Sequence, residues 1–409
     1  MPSIKGAAAI VGIGQTEFSK DSGRSELQLC AEAVRAAIAD AGLQPADVDG
    51  AVTFTIDPND ELNLMRSVGI REMRWTSRTP FGGGGSSATI EHAAAAVVSG
   101  AADVVVVYRA FNERSGRRFG QPMAGPRPPA MNWYLPYGLD TPAKAYSLWF
   151  QRYMHRYGVS NEDFGRYSVV ARKHAATNPN AWYYERPITL ADHQASRWIV
   201  EPILRLLDCC QESDGGVALI VTRADMAKDL RRPRVTIQAA TQGNTIFGET
   251  IFNYYHDDIS RFPEAEYTAR QLWETAGIGP EDIDVAMIYE NFSPVVFYQL
   301  EAYGFCGPGE AKDFIADGNI EIGGKLPVNT NGGLLGEGYI HGMNNILEGV
   351  RQLRGDAANQ VEGTEQVLSA QKLMGKPKIQ PLFSTQSTSA RTAMEAWCIS
   401  PREPIFRGR

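Results

Sequence analysis

Short apolar runs punctuate the chain at Ala8–Gly12, Gly50–Phe54, Val217–Thr222, Val235–Ala239 and Val285–Tyr289. Runs of this length and continuity predict strands buried on both faces. Between them the spacing changes to a helical period. Leu27, Val34, Ala37 and Ile38 share one face, and Tyr267, Leu272 and Trp273 share another. Strands alternating with helices predict an α/β protein.

The pattern occurs twice. Residues 41–49 read Ala-Gly-Leu-Gln-Pro-Ala-Asp-Val-Asp, and residues 276–284 read Ala-Gly-Ile-Gly-Pro-Glu-Asp-Ile-Asp. Each copy closes a helix, with Gly42 or Gly277 suited to its C-cap, and opens the next strand. Both halves therefore read strand, helix, strand. A glycine-rich turn follows in each, Gly82–Gly85 and Gly332–Gly338, and each turn precedes a helical stretch, Ala88–Val98 and Gly342–Leu353. Two such turns at equivalent places bring two helix N-termini together, where partial positive charge favours an anion. Residues from about 111 to 206 fit neither copy. They are rich in Arg, Tyr and Pro, carry amphipathic segments at Tyr146–Tyr157 and Phe164–His174, and are read as an insertion covering the site.

Composition narrows the class. The 409 residues are 43% hydrophobic and 21% charged, which suits one large core or two fused ones and excludes a disordered or fibrous chain. A formal net charge of -7 argues against nucleic acid as a partner, although Arg114, Arg117 and Arg118 offer local contacts for one anionic ligand. Cys30, Cys209, Cys210, Cys306 and Cys398 have neither metal-ligand spacing nor an even count, so reduced thiols in a cytoplasm are expected. His256 beside Asp257 and Asp258 lacks a second ligand cluster, and no metal site is expected. Apolar runs such as Ala93–Ser99 and Val104–Val107 fall far short of the roughly 18 residues of a membrane span.

Several stretches then resemble the thiolase superfamily across nearly the whole chain. Leu207-Asp208-Cys209-Cys210-Gln211-Glu212-Ser213-Asp214-Gly215-Gly216 is similar to the thiolase segment ending in Asp-Gly-Ala, and Val328-Asn329-Thr330-Asn331-Gly332-Gly333 to its Val-Asn-x-x-Gly-Gly. The resemblance implies a duplicated thiolase fold: two βαβαβαββ halves in a five-layered αβαβα arrangement. The halves are expected at residues 1–230, insertion included, and 231–409.

Every catalytic position of that family is altered. Its Cys-x-x-Gly turn falls on the glycines after Phe81, with Gly82 at the cysteine, and glycine cannot attack a thioester. Tyr289, in Tyr289-Glu290-Asn291-Phe292, stands where thiolases have Asn or His. Tyr339, in Gly338-Tyr339-Ile340-His341-Gly342, stands where they have the His of Gly-His-Pro. Phe383–Ser387 shows no late cysteine, and Cys398 comes too late to supply one.

With Phe111-Asn112-Glu113-Arg114-Ser115-Gly116, this set resembles the lipid-transfer-protein-type steroid aldolases of actinobacteria. That resemblance implies retro-aldol cleavage of a steroid β-hydroxyacyl-CoA with a tertiary ring-D hydroxyl, giving a 17-ketosteroid and propionyl-CoA. Coenzyme A belongs to the substrate, and no further cofactor is expected. The resemblance also implies an OB-fold partner of the domain-of-unknown-function-35 type, often part of a MaoC-like hydratase, and a homodimer within a heterotetramer.

Such a reaction needs a base, an acid and an anion site, and no covalent intermediate. Proton transfer is assigned to Tyr289 and Tyr339, with base and acid left open between them. Enolate stabilisation is assigned to the backbone of Gly82, Gly83 and Gly84, where no Cβ blocks close approach. Glu290, Asn291 and His341 are assigned supporting roles. Two rival readings keep the scaffold: a non-catalytic acyl-CoA or sterol binder that stabilises a hydratase, and a condensing enzyme that works without acylation.

Overall fold

The computed structural model describes residues 4–80, 82–122, 131–246, 254–369 and 372–375. Phe81, Phe383–Ser387 and Cys398 lie outside the described residues.

The apolar runs become strands of one nine-stranded sheet: β1 (Ala8–Gln15), β2 (Gly50–Phe54), β3 (Trp75–Thr79), β4 (Val104–Asn112), β5 (Asp214–Arg223), β6 (Val235–Ala240), β7 (Val285–Met287), β8 (Gln366–Ser369) and β9 (Lys372–Gly375). Their order is β3-β2-β4-β5-β1-β6-β9-β8-β7. Pairing types expose the repeat. Outward from β1 the pairs are antiparallel to β5, antiparallel from β5 to β4, then parallel to β2 and to β3. Outward from β6 they are antiparallel to β9, antiparallel from β9 to β8, parallel to β7, and then parallel through the single bridge Ala286–Val328. The two series are mirror copies. They meet where β1 and β6 pair over only Ala9–Thr236 and Ile10–Val235.

Among the described residues eight longer helices clothe the strands: α1 (Glu26–Ala41), α2 (Glu61–Val68), α3 (Ser86–Ser99), α4 (Pro142–Tyr157), α5 (Asn161–Ala176), α6 (Pro263–Ala276), α7 (Ser293–Ala302) and α8 (Met343–Arg354). Side chains alternate along each strand, so each half presents two apolar faces. Ala9, Val11, Val106 and Ile220 pack outward against Leu29 and Val34 of α1 and Leu64 of α2. Val107 and Leu219 face Ile90 and Val97 of α3, in a core shared with Met287, Val367 and the α8 residues Ile346 and Val350. Ala286, Ile288 and Leu368 face Leu272 of α6, Val296 and Leu300 of α7, and the α4 and α5 aromatics Phe150 and Phe164. The result is a thiolase-like layered arrangement in which α3 and α8 share the middle layer between the two halves of the one sheet.

Caps explain where these helices begin and end. Ser25 Oγ accepts from the Gln28 N–H at the start of α1, and Gly42 closes it at φ 75°. Gly277 closes α6 in the same way at φ 67°. By contrast, α3 and α8 have no side chain capping their N-termini; backbone carbonyls serve there instead, the Ser86 N–H bonding the Gly83 carbonyl and the Met343 N–H the Ile340 carbonyl at 3.0 Å. The inserted stretch does more than cover the surface. α5 lies so close to the second glycine turn that a Cβ at Gly332 would stand 2.4 Å from Ala175 Cβ.

Glycines of β1 let α1 pack closely against the strand. A Cβ on Gly14 would fall 2.2 Å from the Ala33 carbonyl oxygen. Gly14→Ala is therefore expected to cost about 2–3 kcal/mol in urea-denaturation free energy through overpacking; an unchanged midpoint would contradict this packing.

Candidate active site

Tyr289 follows β7, where the chain leaves the sheet. Asn329, itself at φ 50°, holds this exit: its Oδ1 accepts from the Ile288 N–H at 2.8 Å and its Nδ2 donates to the Ile288 carbonyl at 2.9 Å. The side-chain amide thus replaces a neighbouring strand. Gln299 Nε2 donates to the Tyr289 carbonyl. Tyr339 arrives from the second glycine turn, its N–H donating to Ser213 Oγ at 3.2 Å and its ring set edge-on to Phe111.

The two phenols meet. Their hydroxyls are hydrogen-bonded at 2.9 Å, with ring centroids 6.4 Å apart. The tetraglycine bend lies against them: a Cβ on Gly83 would stand 2.2 Å from the Tyr289 hydroxyl oxygen, and one on Gly342 would stand 2.9 Å from Tyr289 Cδ2 and 3.4 Å from Ser86 Oγ. Tyr289 is therefore wedged between the bend that starts α3 and the glycine that starts α8. Thr89 Oγ1 and Met343 Sδ, 3.9 Å apart, also join the two first turns. The helix starts anticipated from the two glycine-rich turns do converge. Ser86 and Ser87 add buried hydroxyls with no hydrogen-bond partner among the described residues.

Burial pushes both phenols well above the usual tyrosine range. The resting pair is neutral. Cys210, the cysteine whose charge would be felt by both phenols, is also pushed up by burial, so its thiolate is disfavoured. Burial likewise pushes Glu113 well above the carboxylate range, and its Oε2 has no hydrogen-bond partner among the described residues.

His341 lies two residues beyond Tyr339 with its ring edge-on to the Tyr339 ring at 5.2 Å. Its hydrogen bond goes elsewhere: Nδ1 accepts from Arg109 Nε at 3.1 Å. Arg109 is in turn paired with Asp57 at 2.7 Å, both side chains almost wholly buried, and its guanidinium stacks 4.2 Å from the Phe111 ring centroid. The imidazole edge faces the bend, since a Cβ on Gly82 would stand 3.0 Å from His341 Cε1. Arg109 and Asp57 belong to no motif in the sequence. Their signal is a lone arginine inside the apolar strand Val104–Ala110, a position that buries a charge only when it is paired.

The remaining residues fall nearby. Glu290 turns away from the phenols, accepting from the Leu334 N–H at 2.6 Å and thereby tying the Tyr289 segment to the second glycine turn. Asn291 accepts from the Cys210 N–H through its carbonyl, and its buried Oδ1 has no hydrogen-bond partner among the described residues. His256 pairs with Glu264. Among the described residues no cluster of His, Cys, Asp and Glu could hold a metal ion, and no helix is long and apolar enough to cross a membrane. The arrangement offers two neutral proton carriers in contact, beside the starts of two helices that no side chain caps. It can move protons and hold a developing anion.

Comparison with known proteins gives the family. Residues 253–375 match the family model described as thiolase C-terminal domain-like. The chain is 56% identical over 374 residues to the steroid side-chain-cleaving aldolase of Thermomonospora curvata, covering 90% of this chain and 95% of that one. It is 55% identical over 371 residues to the 17-hydroxy-3-oxo-4-pregnene-20-carboxyl-CoA lyase of Mycobacterium tuberculosis, covering 89% and 96%. The solved Ltp2-ChsH2(DUF35) aldolase superposes with a TM-score of 0.87 at 54% identity, over 92% of this chain and 99% of the other.

Glu290 gives this region a pH dependence. Burial raises its pKa to about 8, so the folded state keeps a proton that the unfolded chain releases near 4.5. The stability it allows is complete below that lower value and is lost as pH rises through about 8. The stability of the wild type relative to Glu290→Gln is expected to fall across this window, with a slope approaching about 1.4 kcal/mol per pH unit. Urea titrations of both proteins at stepped pH check it, and a difference independent of pH would refute it.

Proposed function

The chain belongs to the steroid side-chain-cleaving aldolases, a thiolase-like family, and we propose that it cleaves the side chain of a 17-hydroxy steroid 20-carboxyl-CoA thioester to a 17-ketosteroid and propionyl-CoA. The observation that carries this reading is the 2.9 Å contact between the Tyr289 and Tyr339 hydroxyls. Thiolysis is not available, because the bend carries no nucleophile and the Tyr289 phenol stands where a side chain at 83 would project.

Retro-aldol cleavage fits what is present. The tertiary hydroxyl gives up its proton, the bond between the α- and β-carbons breaks, and its electron pair forms the thioester enolate while the β-carbon becomes the ketone. The α-carbon then takes a proton. One proton is lost and one gained, so two touching phenols suffice as a relay, each oxygen accepting one proton and passing one on. Raised phenol pKa values disfavour a free phenolate and favour such a coupled transfer. Tyr289, wedged between the starts of α3 and α8, is better placed to bear developing negative charge and is assigned to the hydroxyl proton. Tyr339 is assigned to the α-carbon. Backbone N–H groups of Gly82, Gly83 and Gly84 are assigned to the enolate oxygen.

The resemblance to an Ltp2-ChsH2(DUF35) aldolase supports a partner of the domain-of-unknown-function-35 type with an OB fold. We further propose a homodimer within a heterotetramer, a cytoplasmic location, no cofactor beyond the coenzyme A of the substrate, and a division into halves at residues 230 and 231, where the two mirrored strand series change over.

Incubating the chain and its OB-fold partner with the 17-hydroxy steroid thioester is expected to release ketone and propionyl-CoA. Tyr289→Phe and Tyr339→Phe should each lower kcat by roughly a hundred- to ten-thousand-fold while circular dichroism and partner binding stay unchanged. Undiminished cleavage in both would favour a scaffold role. Gly83→Ala drives a Cβ into the Tyr289 phenol and should lower kcat by at least about a hundredfold, because the relay is parted. A fully active Gly83→Ala protein would contradict the geometry of the site.

A further inference from the structure

Arginine cannot accept a hydrogen bond, so the contact from Arg109 Nε fixes His341 Nδ1 as the acceptor. The single ring proton then sits on Nε2. Protonating both nitrogens would set an N–H against the guanidinium, and burial also opposes the cation. Nε2 makes no hydrogen bond among the described residues, and its edge of the ring faces the bend: the position of a Cβ on Gly82 is 3.2 Å from Nε2.

Two unfavourable features converge on this ring. Arg109 and Asp57 are an ion pair withdrawn from water, and His341 holds a left-handed φ of 50°. Neither is needed to bury an imidazole. Both serve to hold one tautomer in one direction.

On the aldolase reading above, we propose that His341 is a third catalytic residue, whose Nε2–H donates to the thioester oxygen as the enolate forms, opposite the backbone N–H groups of the bend. Asp57 and Arg109 are then positioning residues that set the tautomer. The neutral imidazole works differently from the phenols, stabilising charge while keeping its own proton.

The test uses the full chain in complex with its OB-fold partner, labelled with 15N-histidine. The wild-type spectrum should show a His341 Nδ1 without a proton and a protonated Nε2, unchanged from pH 6 to 8, and saturation with propionyl-CoA should move the Nε2–H signal. His341→Leu should lower kcat by about a hundred- to a thousandfold with little change in KM, and His341→Gln, which keeps an N–H donor, should recover part of the loss. A proton on Nδ1, or an Nε2–H signal indifferent to propionyl-CoA, overturns the proposal whether or not the variants fold. So does full activity of His341→Leu while the wild type cleaves. Failure of the wild type to release ketone would instead overturn the aldolase reading, and the proposal with it, even if the tautomer is as stated.

Discussion

A hydrogen bond between two buried phenols is the contact on which this site depends. It forms because Tyr289 and Tyr339 leave different strands and turns yet arrive 2.9 Å apart at their hydroxyls. Absence of side chains permits that approach. Gly83 and Gly342 both lie against the Tyr289 ring, and a Cβ on either would intrude on it. The scaffold brings the starts of α3 and α8 together, Thr89 Oγ1 of one lying 3.9 Å from Met343 Sδ of the other, and neither start is capped by a side chain.

Much of the frame could be read along the chain because it is written in local signals. Continuous apolar runs gave strands with nearly the right bounds, including Gly50–Phe54, and the repeated Ala-Gly-x-x-Pro stretches marked helix ends at Gly42 and Gly277, both left-handed. Strand β7 proved shorter than its apolar run: it ends at Met287, and Asn329 takes over hydrogen bonding to Ile288. That handover depends on a residue 41 positions away, which no local window contains.

The site was legible in part. Both tyrosines and the glycine bend could be named from their motifs, while their separation could not, since it depends on the two halves meeting across α3 and α8. Direction was harder still. Glu290 is adjacent to Tyr289 in sequence, yet its carboxylate bonds the Leu334 N–H. His341 is two residues from Tyr339 and bonds Arg109, 232 positions away. Asp57 and Arg109 lie in separate parts of the first half and become one unit only when the chain folds.

We propose that a route for protons replaces a sulfur nucleophile, with both phenols carrying a proton during cleavage. A proton inventory of single-turnover cleavage in mixtures of light and heavy water tests this most directly. Transfer through two touching hydroxyls predicts a curved dependence of rate on deuterium fraction, with at least two protons in flight. A straight line, one proton moving in the step that breaks the bond, would contradict it.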